Sequence, residues 1–201
     1  MAKTYITSDL HFCHTNIIKY SPWSRGHYQS VDEMNESIIT NINKVVTDAD
    51  TLIIAGDIYF GGHDQTTEFL KRMNGFKKLV WGNHDKKYRD STPFHSQKKL
   101  MGVVWEGDYL EFEHKFQDRK YKIVVNHFPF LTWDRSHHGS INLHGHCHSH
   151  HDHRNLQGMN VRQMDIGMDG NFMQVHDMDD ICSEMSRREI QRHGHHDGTK
   201  D

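Results

Sequence analysis

Five short polar clusters in this 201-residue chain contain the residue types that bind metal ions. They combine carboxylate, amide and imidazole side chains, and most of them include a glycine. In chain order they are Asp9-Leu10-His11, Gly56-Asp57, Gly82-Asn83-His84-Asp85, Asn126-His127 and Gly145-His146-Cys147-His148, with Gly167-Met168-Asp169 as a weaker sixth. Oxygen and nitrogen donors without a thiolate pattern suit Mn²⁺, Fe or Zn²⁺.

The clusters follow apolar runs that are typical of buried β-strands. Thr51–Ala55 is short, apolar and rich in β-branched residues, which favours a strand buried on both faces. The predicted strands are Lys3–Thr7, Thr51–Ala55, Lys77–Trp81, 101–105, 108–114, 120–126, Ile141–Leu143 and 161–167. Because ligands bind at the carboxyl ends of strands in open α/β sheets, we expect the clusters to converge on one pair of metal ions. Helix capping alone does not account for five such strand ends.

The spacing within two clusters favours paired ligands. Asp9 and His11 are two residues apart, as are His146 and His148. On an extended segment, residues with this spacing face the same side. Each loop is therefore predicted to contribute two ligands, with Cys147 pointing away from the metals and packing.

The order of predicted elements indicates an α/β fold. Helices are predicted over 15–20 (ended by Pro22), 32–46, 64–74 and 177–192, and loops over 20–30, 86–100 and 129–140. Alternating strands and helices in the first part imply parallel pairing, and successive strands later imply antiparallel pairing or a second sheet. We predict two packed mixed β-sheets flanked by helices, a four-layer α/β/β/α sandwich. One domain is expected over 1–192, with a disordered, His-rich tail over 193–201.

Composition restricts the function classes. The chain is 35% hydrophobic with a net charge of −3, and it has no long basic block that would signal a nucleic-acid-binding surface. No run approaches the ~20 apolar residues of a membrane helix, and no signal peptide is expected. Three scattered cysteines favour a reducing cytoplasm. About half of the 20 histidines are expected to be ordinary surface residues.

The order and spacing of the clusters resemble a known family signature. From Asp9 to His148 they resemble the five-block signature of the calcineurin-like metallophosphoesterases, including the neighbouring glycines. The opening Asp-Leu-His-Phe-Cys-His-Thr-Asn and the later Ile-Gly-Met-Asp look like a small, cap-less branch found in bacteria and phages. The resemblance implies a dinuclear-metal-dependent hydrolase of phosphate esters.

The resemblance also implies a role for each residue. Asp9, His11 and His148 would bind one metal, Asn83, His127 and His146 the other, and Asp57 would bridge them. His84 would be the general acid and Asp85 would orient it, so that His84, Asp57 and Asp85 form the catalytic group. Two adjacent metals can hold a bridging hydroxide as the nucleophile, which leaves only a proton donor to be supplied, and histidine fits that need. Mn²⁺ is the first choice of metal, with Fe, Zn²⁺ or Ni²⁺ as alternatives.

Substrate contacts are predicted less directly. His14 either touches the substrate or orients a ligand, or it is a partly buried, hydrogen-bonded histidine. Asn16 and Arg25 either touch the substrate or are, respectively, a helix-start residue and a solvated loop arginine. Trp23, Trp133 and Phe128 either stack on a nucleobase or pack within loops. Asp169 either closes the rim of the site or has no part in it.

The sequence leaves the reaction partly open. The substrate is a monoester or diester, possibly a nucleotide, and a nuclease acting on nucleic-acid ends is the alternative. A non-catalytic interaction module would show erosion of the ligand set, especially at His84, and this chain retains every position. Histidine-based metal storage would give many weak sites. We expect no membrane partner, and a monomer or homodimer.

Overall fold

Two mixed β-sheets pack face to face in this protein. The computed structural model describes residues 2–148 and 161–190. The strands are β1 Thr4–Thr7, β2 Thr51–Ala55, β3 Phe76–Val80, β4 Val103–Gly107, β5 Tyr109–Phe116, β6 Arg119–Asn126, β7 Ile141–His144, β8 Gln163–Asp165 and β9 His176–Asp177. The helices are α1 Ile17–Tyr20, α2 Pro22–Arg25, α3 Val31–Val45, α4 His63–Arg72, α5 Lys86–Arg89, α6 Thr92–Ser96 and α7 Met178–Ser186, with short 3₁₀ helices at Ser136–His138 and Met168–Gly170.

The first sheet has the order β4-β3-β2-β1-β9. Strands β1 to β4 are parallel to their neighbours, and β9 pairs antiparallel with β1. Helices α3 and α4 make the crossovers β1–β2 and β2–β3. Parallel neighbours place their carboxyl ends at one edge of the sheet, which sets the position of the first three polar clusters.

The second sheet has the order β5-β6-β7-β8. Strands β5 and β6 form an antiparallel hairpin, while β6, β7 and β8 run parallel. The sheets meet at the site edge, where Ser8 and Gly167 form an isolated parallel bridge. The fold class predicted from the sequence, two mixed sheets with helices outside, is confirmed.

The apolar run of β2 is explained by burial on both faces. Leu52 and Ile54 join the core under α3 and α4, and Ile53 and Ala55 join the core between the sheets. The inter-sheet core also holds apolar residues of β6 and β7 and of helix α7. Helix α3 starts at an N-cap, Ser30, whose hydroxyl accepts a hydrogen bond from the Glu33 amide at 3.1 Å.

Several local predictions differ from the structure. The loop predicted over 20–30 contains α2, because Pro22 occupies its first turn, where a missing N–H costs nothing. The loop predicted over 86–100 contains α5 and α6. Strand β9, only two residues long, carries no periodicity and was not predicted. The 193–201 tail lies outside the described residues, and no described helix is long and apolar enough to cross a membrane.

Candidate metal centre

The five polar clusters lie together at one edge of the molecule. Strands β1, β2 and β3 bring the first three, and strands β6 and β7 of the second sheet bring the other two. Backbone hydrogen bonds of 3.0 Å tie neighbouring clusters together, from the amides of Asp9, His11 and Gly145 to the carbonyls of Gly56, Asp57 and His127. The convergence therefore follows from parallel strand pairing.

One group of donors consists of Asp9, His11 and His148. The Nε2 atoms of the two histidines lie 3.2 Å apart. Asp9 Oδ1 lies 3.7 Å from His11 Nε2 and 3.6 Å from His148 Nε2. One ligand atom from each residue lies within 4.8 Å of the others.

A second group consists of Asp57, His127 and His146, whose donor atoms also lie within 4.8 Å of one another. Asn83 Oδ1 joins it, 2.9 Å from His127 Nε2. Asp57 Oδ2 lies 3.4 Å from His127 Nε2 and 3.9 Å from His11 Nε2. The Asp57 carboxylate thus lies between the two groups, where one side chain can serve two ions.

An unpartnered buried oxygen indicates that the donors fit a divalent cation. Asp9 Oδ1 is buried and has no hydrogen-bond partner among the described residues. Such an atom is costly unless it has a partner, and two imidazole nitrogens already converge on it. Carboxylate, amide and imidazole donors form the set that Mn²⁺, Fe or Zn²⁺ accepts.

The pKa shifts report the same crowding of negative and titratable groups. Burial alone would raise the pKa of Asp9, but the adjacent His11 and His148 outweigh burial and hold it well below its usual range. For His127 burial acts in the opposite direction and lowers the pKa, but the carboxylates of Asp57 and Asp9 outweigh it and raise the pKa to about 9. An imidazole that attracts a proton this strongly lies in a negative site, where a metal cation would replace that proton.

The backbone at the ligand positions is left-handed, which corrects the argument from spacing. Five candidate ligands have positive φ: Asp9 57°, His11 53°, Asp57 52°, His146 71° and His148 50°. These segments are not extended, so two-residue spacing does not place both side chains on one face. Indeed, His146 and His148 enter different donor groups. Such conformations cost roughly 1–3 kcal/mol each and persist where surrounding contacts hold them.

Glycines in the clusters leave room for the candidate ligands, in addition to allowing the backbone to turn. A Cβ on Gly82 would lie 2.3 Å from Asp57 Oδ1, and one on Gly145 would lie 2.1 Å from Ser8 Oγ. At Gly56, φ is +92° and a Cβ would lie 2.4 Å from His127 Nδ1. No side chain fits at these three positions without displacing a candidate ligand or its neighbour.

Two histidines are oriented by their second ring nitrogen. His127 Nδ1 donates to the Ala55 carbonyl at 2.8 Å, which leaves Nε2 facing the site. His148 Nδ1 lies 2.7 Å from Asp169 Oδ2. A carboxylate behind a ligating histidine fixes its orientation and raises its basicity. The sequence left open whether Asp169 closes the rim of the site, and the Gly-Met-Asp cluster was the available signal for this closer role.

Arg25 is neither a substrate contact nor a solvated loop arginine, the two roles predicted for it. Its guanidinium is fully buried and pairs with the equally buried Asp169, with Nε to Oδ1 at 2.8 Å and Nη2 to Oδ2 at 2.9 Å. It also donates to the backbone carbonyls of Asp9 at 2.6 Å and Leu10 at 3.0 Å. An arginine that is fully buried and hydrogen-bonded in this way cannot reach a substrate. It holds the first cluster in place instead.

Asp85 also has a different partner from the one predicted. Its carboxylate accepts hydrogen bonds from the amides of Asp57 at 2.8 Å, Ile58 at 2.9 Å and Gly82 at 2.9 Å. None of its hydrogen bonds within the described residues reaches the His84 ring. Burial raises the pKa of Asp85 to about 6, although these amides favour its charged form. Asp85 therefore positions the Asp57 loop rather than the ring of His84.

The remaining predicted residues, His84, His14 and Asn16, are less buried than the candidate ligands Asp9 and Asp57. His84 is 46% exposed at its side chain, with Nε2 3.9 Å from Asp57 Oδ2. His14 stacks on Phe60 at 3.8 Å, and its Nδ1 lies 3.3 Å from His11 Nδ1. Burial, then the charge of His11, lowers the pKa of His14 to about 4. Asn16 is exposed at the start of α1 without capping it.

Trp133, Phe128 and Cys147 lie in three different environments. Trp133 is buried on the outer face of the second sheet, so it packs. Phe128 is 47% exposed beside the site, with its ring 4.6 Å from that of His146. Cys147 belongs to neither donor group and lies with His144 and Asp165, all three donor atoms within 4.8 Å.

The chain is similar to a known protein family and to proteins of an archaeon and a phage. The family model described as calcineurin-like phosphoesterase matches residues 2–199. An uncharacterized protein of Methanocaldococcus jannaschii is 31% identical over 153 residues, covering 75% of this chain and 72% of that protein. The Gene 66 protein of Mycobacterium phage L5 is 27% identical over 199 residues, covering 84% and 87%.

A solved structure shares the fold. The crystal structure of a protein of unknown function from Aquifex aeolicus superposes with a TM-score of 0.70 at 24% identity. The match covers 91% of this chain and 99% of that chain. The two sheets and their packing therefore recur in a distant sequence.

Proposed function

The chain belongs to the calcineurin-like phosphoesterase family, and we propose that it hydrolyses phosphate esters at two divalent metal ions held where its sheets meet. One observation carries the proposal. Donor side chains from five strand ends form two adjacent groups, with the Asp57 carboxylate between them. Asp9, His11 and His148 would hold one ion, Asn83, His127 and His146 the other, and Asp57 both.

The bound ions would supply an activated water and polarise the phosphoryl oxygens. The protein side chains have separate tasks. Asp169 and the Ala55 carbonyl orient two ligand rings. Arg25 and Asp85 hold the loops that carry Asp9 and Asp57.

His84 is the proposed proton donor to the leaving alcohol. It follows the ligand Asn83 directly, its side chain is 46% exposed with Nε2 3.9 Å from Asp57 Oδ2, and its ring lies 4.6 Å from that of Phe60. A positioned general acid contributes typically 10²–10⁴-fold to the rate. Mn²⁺ is the proposed metal, with Fe, Zn²⁺ or Ni²⁺ as alternatives that the same oxygen and nitrogen donors accept. The cytoplasmic location stays a prediction.

A hydrolysis screen with added Mn²⁺ tests the proposal. It compares a chromogenic monoester, a chromogenic diester, nucleotides, cyclic nucleotides and short single-stranded oligonucleotides. We expect turnover of at least one class, abolished by chelation and restored by metal. No turnover of any of them in protein that has bound two ions would contradict the proposal.

Two variants test the residue roles. His84→Asn should lower kcat by about 10²–10⁴-fold with the bound metal unchanged. Asp57→Asn should lower the number of tightly bound ions below two. His114→Asn and Asp134→Asn, which change side chains paired at the surface, are the matched controls and should change neither. Unaltered turnover in His84→Asn would refute the assigned acid.

A further inference from the structure

A cavity of about 480 Å³ opens beside the second donor group. Asn83 and His127, two of the proposed ligands, form part of its wall. Its volume falls within the range of about 300–1,000 Å³ typical of small-molecule sites. A group attached to a phosphorus atom at the metal centre can therefore extend into this cavity.

Three aromatic side chains line it: Trp81, Phe128 and Phe130. Trp81 is buried against Phe94, with ring centroids 5.6 Å apart, and so forms a fixed wall. The Phe128 ring stands 5.1 Å from that of His127. Phe130 is half-buried, and its ring stacks on that of Tyr109 with the centroids 6.2 Å apart.

The cavity wall has two basic and two acidic side chains, so their charges cancel. Arg89 is committed to Asp108 through an ion pair of 2.5 Å. Lys86 and Asp90 also line the cavity, and their side chains make no ion pair or hydrogen bond within residues 2–148 and 161–190. One cation and one anion remain for a ligand. This balance suits a neutral group with polar edges rather than a further phosphate.

We propose that this cavity binds a nucleobase of the phosphoester substrate. Flat heterocycles stack on aromatic faces in a sequence-tolerant way, and Phe128 and Phe130 offer such faces next to the metal ligands. Asp90 can accept a hydrogen bond from a base amino group, and Lys86 can donate to a ring nitrogen or carbonyl oxygen. The inference rests on the proposed function, because the phosphate must sit at the metal centre.

Binding, rather than turnover, tests the subsite. Adenosine 5′-methylenephosphonate and ribose 5-methylenephosphonate carry a carbon in place of the ester oxygen and resist hydrolysis. They differ only in the base. Calorimetric titration into the manganese-loaded protein should give a Kd at least about fivefold lower for the adenosine compound, the lower end of measured base–aromatic stacking.

Variants locate the preference. Phe130→Ala, and independently Phe128→Leu, should reduce the adenosine preference toward one while the Kd of the ribose compound stays unchanged. Phe76→Ala is the matched control, because Phe76 is 51% exposed but starts β3, at the end of the sheet away from the site. Thermal unfolding of each variant checks that it is folded.

The outcomes separate the two proposals. Equal affinity for the two phosphonates, or a preference that survives both phenylalanine changes, overturns the subsite even if esters are hydrolysed. Absence of turnover together with a base preference would contradict the hydrolase proposal alone. With the subsite established, competition by adenosine monophosphate or by 5′-phosphorylated oligothymidylate identifies a free nucleotide or a strand end as the source of the base.

Discussion

Asp169→Asn should weaken both the fold and the first metal site. Asp169 is the buried partner of Arg25, and both side chains are fully shielded from solvent. Removing one member of a buried ion pair costs about 3–5 kcal/mol, because the other charge stays buried without compensation. For a domain of this length that corresponds to a fall in Tm of roughly 6–20 °C.

The same change should lower metal affinity by a separate route. His148 Nδ1 loses a carboxylate acceptor and gains at best a neutral amide oxygen. Loss of a partner behind a ligating histidine typically costs 10–100-fold in metal affinity or activity. Urea unfolding with chelator present measures the first effect, and Mn²⁺ titration of the folded protein measures the second.

A double-mutant cycle separates the charge effect from general damage. Arg25→Met with Asp169→Asn removes both charges, so it should cost less than the sum of the single changes, by up to about 3 kcal/mol. The matched control is Glu36→Gln, since Glu36 forms an equally bidentate pair with Arg72 but on the surface. There we expect at most about 1 kcal/mol. Additive costs at Arg25 and Asp169, or a cost no larger than that of Glu36→Gln, would refute the reasoning.

Three further changes give defined outcomes. Gly82→Ala should cost about 1–3 kcal/mol and lower metal content in direct metal counting, because its Cβ would meet Asp57 Oδ1 at 2.3 Å. Gly62→Ala, with its nearest atom at 3.8 Å, should leave metal content unchanged, and an equal loss of metal in the two variants would refute the steric argument. Burial lowers the pKa of His176 from 6.5 to about 4, so the unfolded state binds more protons between these values and stability falls as pH drops through them. Between pH 7 and pH 5 the free energy of unfolding, measured in urea, should therefore fall by about 2 kcal/mol less in His176→Leu than in the unmodified protein. An unaltered slope of the free energy of unfolding against pH would contradict this expectation. Ser30→Ala should cost about 1 kcal/mol in the same unfolding assay with metal content unchanged, and a cost near zero would mean the cap is not formed in solution.

The sequence by itself determined the strands that carry the site and the order of the polar clusters. Thr51–Ala55 is a case in point, since an apolar, β-branched run of five residues encodes a strand buried on both faces. The end of such a strand is a local feature, and so are the glycine and the donor that follow it. Parallel pairing then makes convergence of the donors a consequence of topology, so the grouping implied by the family resemblance could be stated before any coordinates.

Tertiary structure alone decided how the donors are held. Arg25 lies 144 positions from Asp169 in sequence, and a four-residue helix has too little periodicity to reveal that its arginine is buried. The left-handed backbone at Asp9 and His11 contradicts the extended geometry from which their pairing was argued. Asp85 accepts hydrogen bonds from the Asp57 and Ile58 amides of a distant loop, rather than from the histidine beside it. In each case a contact between distant segments stabilises a conformation that the local sequence does not favour.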